Sequence, residues 1–302
     1  MKISKWVPVA AVAAAIQAQT LVSGSGTRIT RGTETGDSLV LTFDGPGTEV
    51  LGTASLADPD WRPVEGSAIS GDTATVPMGA QRFVAVAGDG APAENSVGFV
   101  RRTVPAGKLQ IVSVPFDGFE DGATRFGEMT VASQLQVNSA VLFWDAGGQA
   151  WSGGSKSGKG WGSAQANRML APGEAFFVKN AGGGDVDVTA VGLSPTNATR
   201  SLAYAGGGAW TPLAHPYPVE TAFGDTELAS QLPQGSTVLF WNVERQGWSG
   251  ASKSSKGWPA AAADHVLRTG EGFFVRSSDA GAWEAARPYD SAVPPASGGG
   301  QP

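Results

Sequence analysis

Apolar and polar residues alternate in short runs along much of this chain, and the runs end at turn residues. Ser38-Leu39-Val40-Leu41-Thr42-Phe43 lies between Gly36-Asp37 and Asp44-Gly45-Pro46-Gly47, and a period of two between turn signals predicts a strand. Thr73–Pro77 and Arg82–Val86 are two more candidates. Val97–Val104 predicts a strand that closes at Pro105-Ala106-Gly107, and Leu109–Phe116 predicts the next one. Val141-Leu142-Phe143-Trp144 is apolar at every position, which predicts a strand covered on both faces.

The pattern then repeats. With Phe126-Gly127 set against Phe223-Gly224, the register holds without a gap to Val178 and Val275. Ala132-Ser133-Gln134-Leu135 matches Ala229-Ser230-Gln231-Leu232, and Val141-Leu142-Phe143-Trp144 matches Val238-Leu239-Phe240-Trp241. Trp151-Ser152-Gly153 matches Trp248-Ser249-Gly250, Lys159-Gly160-Trp161 matches Lys256-Gly257-Trp258, and Gly173-Glu174 matches Gly270-Glu271. About half of the aligned positions are identical, so the segment is duplicated. Upstream, Val114-Pro115-Phe116 corresponds to His215-Pro216-Tyr217 after a short insertion. Each copy predicts a strand ending in Pro-aromatic, a short helix or turn at Ala-Ser-Gln-Leu, and the Val-Leu-Phe-Trp strand. A turn then leads to a strand carrying Trp151 or Trp248, a Gly/Ser/Lys loop, Trp161 or Trp258, and a last strand at Phe-Phe-Val. Asp185–Val191 adds an expected edge strand in copy one.

Composition agrees with this pattern. Glycine is abundant at 43 residues and only 16% of residues are charged, which favours turn-rich β structure over helix bundles. The net charge of −6 argues against a general nucleic-acid or anionic-membrane surface. The chain has no cysteine, which excludes disulfides, thiolate catalysis and Cys-type zinc sites. Lys2 and Lys5, the apolar run Val7–Ile16 and the small residue Ala18 predict a cleavable signal peptide and a mature chain from Gln19. The competing reading is a buried N-terminal helix. No later segment reaches the roughly 20 apolar residues of a membrane span.

The expected architecture is therefore mainly β. A signal peptide (1–18) precedes a small N-terminal β-sandwich-like domain (19–96). Two tandem homologous β-rich modules (97–197 and 198–290) with few short helices follow, and then a disordered Pro/Ser/Gly tail (291–302).

Candidate chemistry is sparse. Gly153–Gly160 invites a phosphate-loop reading, but Gly160 stands where the motif needs Ser or Thr, and Ser255 replaces the second motif glycine in copy two. His215 and His265 align with Val114 and Arg168, so neither recurs, and neither has metal spacing. Glu174 and Glu271 recur after a turn glycine, where a carboxylate can serve the backbone. They are the best acidic candidates for a glycosidase pair across one cleft. Asp117, Glu120 and Asp121 lack calcium-loop spacing. No catalytic, cofactor or metal site is expected.

The tryptophans are more informative. Trp144, Trp151 and Trp161 recur as Trp241, Trp248 and Trp258. An indole with its large apolar face suits a core, and Trp144 and Trp241 close doubly apolar runs. Trp151, Trp161, Trp248 and Trp258 border polar loops, so both a packing role and an exposed aromatic platform stand open for them. Flanked by Lys156, Lys159, Lys253 and Lys256, such a platform would stack on sugar rings or meet a partner protein.

Two resemblances add to this. Asp60-Trp61-Arg62-Pro63-Val64 with Gln81-Arg82-Phe83-Val84 resembles small β-sandwich modules of bacterial exported proteins, where the Trp-x-x-Val strand pairs with the Arg-Phe strand. The order Val97-Gly98-Phe99, Pro105-Ala106-Gly107, Val114-Pro115-Phe116, Phe143-Trp144, Trp161 and Pro172-Gly173-Glu174-Ala175-Phe176-Phe177-Val178 resembles a family of uncharacterised exported proteins of environmental bacteria. That resemblance covers roughly Val97 to Val275. Copy two departs from it at Thr269, where the proline is missing, and lacks a clear Val-Gly-Phe start. It implies export and architecture, and no activity.

The expected function is a non-enzymatic secreted or cell-surface structural or adhesion-type protein, in the periplasm, at the surface or outside the cell. The alternative is a carbohydrate-binding protein using the duplicated Trp/Lys loops. Its partners would be extracellular polysaccharide or other surface proteins.

Overall fold

The structure, a computed structural model, describes residues 26–80, 82–88, 93–119 and 122–293. The expected signal peptide, most of the expected tail, and Gln81, Glu120 and Asp121 lie outside the described residues. The chain is mainly β, with four short α-helices among the described residues. None of these helices is long and apolar enough to cross a membrane.

The first strands are β1 (Arg28–Thr35), β2 (Ser38–Asp44), β3 (Glu49–Thr53), β4 (Arg62–Pro63), β5 (Ala68–Ser70), β6 (Thr73–Pro77), β7 (Phe83–Ala87) and β8 (Val97–Val104). Then follow β9 (Leu109–Ser113), β10 (Thr124–Arg125), α1 (Thr130–Gln134), β11 (Ala140–Asp145), β12 (Ala150–Ser155), α2 (Ser163–Ala166), β13 (Met169–Leu170), β14 (Ala175–Lys179) and β15 (Val186–Leu193). The last series is β16 (Thr199–Tyr204), β17 (Trp210–Ala214), β18 (Thr221–Ala222), α3 (Glu227–Gln231), β19 (Thr237–Asn242), β20 (Gly247–Ser252), α4 (Ala260–Ala263), β21 (Val266–Leu267), β22 (Gly272–Arg276) and β23 (Gly281–Ala286).

The alternation of β2 does what its pattern predicts. Leu39, Leu41 and Phe43 are buried while Val40 and Thr42 face outward. Their sheet runs β1-β2-β6-β5, and a second sheet runs β15-β8-β7-β3-β4. Leu39, Leu41 and Phe43 share one core with Val84, Val86, Val97 and Phe99 of that second sheet. The expected domain boundary at 96/97 falls inside this sheet, because β8 pairs with β7 and β15 pairs along all of β8. The Trp-x-x-Val segment and the Arg-Phe segment do not pair with each other. β3 lies between them and takes β7 on one edge and β4 on the other.

The duplicated segments form two four-stranded sheets, β12-β11-β14-β9 and β17-β22-β19-β20, with corresponding strands in the same order. One face of each sheet covers its own small core. In copy one, Phe126 meets Phe143, Phe176 and Trp161 edge-on at 5.5, 5.8 and 5.0 Å. In copy two, Phe223 meets Phe240, Phe273 and Trp258 at 5.8, 6.0 and 5.0 Å. A two-stranded ribbon of β16 and β23 pairs the first strand of copy two with its last, the relation that β8 and β15 have in copy one.

The second faces of the two sheets meet. Ser113 donates its backbone N–H to Gly270 at 3.0 Å, and Ala214 donates to Gly173 at 2.9 Å. These bonds join corresponding positions, so the contact is reciprocal. The copies approach closely at Gly272, where a Cβ atom would stand 2.4 Å from the Ala175 Cβ and 2.9 Å from the Ile111 side chain.

Candidate functional site

The Gly/Ser/Lys loop is folded back on the helix before it. Lys156 Nζ donates to the carbonyls of Ala132, Ser133 and Leu135 at 2.9, 3.0 and 2.7 Å. These carbonyls lie at the end of α1, where no further helical turn supplies a donor and where a cation is favoured. Trp161 Nε1 adds a bond to Ala132 O at 2.8 Å. Copy two repeats all of this. Lys253 Nζ reaches Ala229, Ser230 and Leu232, and Trp258 Nε1 reaches Ala229. Between Lys and Trp the chain makes a tight turn, with Ser157 and Gly160 exchanging backbone bonds of 2.9 Å. Gly160 sits at φ +98° and Gly257 at +96°, a conformation that favours glycine. Lys159 and Lys256 project from these turns into solvent.

Trp151 and Trp248 go elsewhere. Each lies on the second face of its sheet, beside Trp144 or Trp241, with ring centres 5.0 Å apart in both copies. Trp144 and Trp151 pack edge-on against Phe274 of the other copy at 5.2 and 5.5 Å. Trp241 and Trp248 pack against Phe177 at 4.9 and 5.8 Å. Trp248 remains 39% exposed, and Trp151 is half-buried. The eight candidate ligand residues are thus not gathered at one place. Lys156, Trp161, Lys253 and Trp258 hold helix ends, Trp151 and Trp248 line the contact between copies, and Lys159 and Lys256 stand at turn tips.

Hydrogen bonds complete that contact. Trp144 Nε1 donates to Trp210 O at 3.1 Å, and Trp241 Nε1 donates to Leu109 O at 3.0 Å. Gln149 and Gln246 each have φ +50°, an uncommon backbone state for a side-chain-bearing residue. From there the Gln149 amide accepts from Trp210 N–H at 2.6 Å and donates to Trp210 O at 3.2 Å. Gln246 does the same to Leu109 at 2.8 and 2.9 Å. Each glutamine therefore stands in for a strand residue on the edge of the other copy. Nothing in the local sequence marks these two residues, but their recurrence at one position of the repeat is a signal that was available.

The repeated glutamates are held by cations. Glu174 Oε1 pairs with Arg168 Nη2 at 2.7 Å, and its other oxygen accepts from the Ala171 N–H at 3.3 Å. The buried Glu271 lies 3.5 Å from Arg102 Nη2 and 3.4 Å from His265 Nε2. Burial alone would raise its carboxyl, but His265, Arg102 and the Arg268 backbone together hold it below the ordinary value. His265 replaces Arg168 in more than the alignment. It stacks on Phe240 at 3.7 Å, as the Arg168 guanidinium lies over Phe143 at 5.9 Å. His215 is buried against Trp283, with Nδ1 2.9 Å from Tyr217 O, and burial pushes its pKa down. Among the described residues no group of three or more His, Asp or Glu side chains is placed to hold a metal.

Arg82, Arg101, Arg102 and Arg268 line an open cleft of about 540 Å³ together with Glu220. Arg82 is paired to Glu220 at 2.9 Å, Arg101 to Glu34 at 3.4 Å, and Arg102 and Arg268 to Glu271 at 3.5 and 4.0 Å. The cleft is therefore a seam of ion pairs more than a free cationic surface.

Compared with protein-family models, with curated proteins and with solved structures, the chain matches none.

Proposed function

We propose that this is a non-enzymatic structural or adhesion-type protein, exported by its N-terminal segment and placed in the periplasm, at the cell surface or outside the cell. In this reading the chain consists of an N-terminal β-sandwich-like unit and two homologous β-rich modules. The carrying observation is where the repeat spends its recurring side chains. Trp144, Trp151, Gln149 and their counterparts join the copies, and Lys156, Trp161 and theirs close the helices. Duplication has been used here to build one stiff body. Deleting the gene should weaken attachment or envelope integrity, and a copy encoding Glu174→Gln should restore it fully. Turnover of glycoside or ester substrates by the purified protein, abolished by Glu174→Gln or Glu271→Gln, would overturn the proposal.

A second reading, binding of extracellular polysaccharide, is favoured by the exposed rim of Trp248 beside Gly250 and Ser252 and by the solvent-facing Lys159 and Lys256. Retention on insoluble polysaccharide, lost in the Trp151→Ala plus Trp248→Ala variant with its fold intact, would support it.

A further inference from the structure

Most sheet edges in this protein are blunted. β4 ends its sheet with Arg62 and Pro63, and β1 carries Arg28, Arg31 and Glu34. β15 is flanked by α1, whose Gln134 accepts from the Thr189 N–H. β9 and β17 are covered by the tryptophans and glutamines of the opposite copy. Charge, proline and cover are the usual means by which an edge strand is kept from pairing with another chain.

β12 and β20 have neither charge nor proline, and their only cover among the described residues is α4 against β20 and the Gln165 side chain of α2 over Gly154. Each ends its four-stranded sheet on the side away from the edge that the other copy covers. Ala-Trp-Ser-Gly-Gly-Ser and Gly-Trp-Ser-Gly-Ala-Ser contain no charge and no proline, and their residues are exposed or half-exposed throughout. The nearest lysines, Lys156 and Lys253, are turned inward to the helix carbonyls. The aromatic contact between the copies also runs out to these strands, because Trp151 and Trp248 are its last members.

We propose that β12 and β20 are docking edges for a second copy of this chain, which adds its own β12 or β20 as an antiparallel strand. This names the partner in the structural reading above and rests on it. The strands are complementary to each other in that direction. With Gly153 opposite Gly250 of another molecule, Trp151 stands opposite Ser252 and Trp248 opposite Ser155. Each indole then lies over small residues and extends the aromatic contact across the new ladder. Main-chain bonds supply affinity and the alternate side chains set the register, as in other strand additions. Each molecule carries two such edges, so the contact propagates into a filament.

The test is sedimentation velocity of the purified full chain over a concentration series. The wild type should grow from monomer to dimers and longer species as concentration rises. Ser152→Lys with Ser249→Lys places a like charge on each edge and should leave a monomer, with unchanged near-ultraviolet circular dichroism. Either single variant should stop at dimers. An equimolar mixture of the double lysine variant with Ser152→Glu plus Ser249→Glu should assemble again. A wild type that stays monomeric at about 1 mM, where even weak pairs form, would overturn the docking edges. Assembly that ignores all of these charges would also overturn them, yet would leave the structural reading standing through another surface. A monomer that turns over a substrate would overturn both.

Discussion

Gln149 holds both backbone groups of Trp210, its amide accepting from the N–H and donating to the carbonyl across the contact between the two copies. Gln246 does the same for Leu109. A side-chain amide thus completes a strand edge that no neighbouring strand covers. Replacing Gln149 by Ala leaves the Trp210 N–H without its partner, while Trp210 O keeps its bond from the Trp144 indole. It should lower unfolding free energy by about 1–3 kcal/mol, read as an earlier urea midpoint with unchanged slope. Gln149→Asn, which keeps an amide but falls short of the strand, should not restore the loss.

The approach of Gly272 to Ala175 makes a second prediction. Gly272→Ala would put a methyl group 2.4 Å from the Ala175 Cβ, and overpacking of this kind costs about 1–3 kcal/mol. Adding Ala175→Gly should return part of that loss. A double-mutant cycle on thermal unfolding measures the coupling, and strictly additive effects would contradict the contact.

Lys156 and Lys253 should matter to stability and little to any ligand. Lys156→Met keeps the alkyl stem but removes three bonds to helix carbonyls. It should cost about 1–3 kcal/mol, as expected for charge-assisted bonds. Lys159→Met, at an exposed turn tip, should be near neutral.

Two buried groups contribute to the acid limb of stability. His215 is held neutral by burial, with its pKa below the ordinary 6.5, so the unfolded chain takes up a proton there first. Stability is therefore full above about pH 6.5 and falls as the pH drops below it. Substituting valine, the residue at position 114 of copy one, should flatten the loss between pH 7 and 5. Glu271, held below its ordinary 4.5, contributes stability present above that value and lost as the pH falls further. Glu271→Gln should shrink this lower limb and leave the His215 limb in place; Glu227, whose carboxyl is also held below its ordinary value by hydrogen bonds that outweigh burial, carries the rest. Urea midpoints across pH 3–8 separate the two.

Acrylamide quenching distinguishes the tryptophans. Trp248→Phe should shrink the readily quenched fluorescence more than Trp151→Phe, because Trp248 is 39% exposed and Trp151 is half-buried. Trp283→Phe should leave that fraction intact, since this indole is fully buried.

The strands were legible because their apolar residues follow the pleat. Leu39, Leu41 and Phe43 point one way by simple alternation, and the doubly apolar Val141–Trp144 run does have two covered faces. Val141 and Phe143 face the core of copy one, while Leu142 and Trp144 face copy two. The site was less legible. Lys156 in a Gly/Ser loop reads as solvated because its partners are carbonyls more than twenty residues away, and no local pattern encodes a tertiary bond. Gln149 carries no local mark, because glutamine has no turn preference that betrays a positive φ. The sheet that crosses position 96/97 was not legible for a related reason. β8 belongs by sequence to the repeat and by hydrogen bonding to the preceding sheet.

The Gly272–Ala175 approach carries a consequence for how such a pair could have arisen. In a symmetric dimer of separate chains, a residue near the axis must meet its own copy. Two alanines would collide at this spacing, and two glycines would leave a gap. Joining the copies in one polypeptide removes that restriction, since each side can change alone while the tether keeps the partner at hand whatever the dilution. One methyl group, present on one side and absent on the other, is a mark of a partnership that no longer needs to be self-complementary.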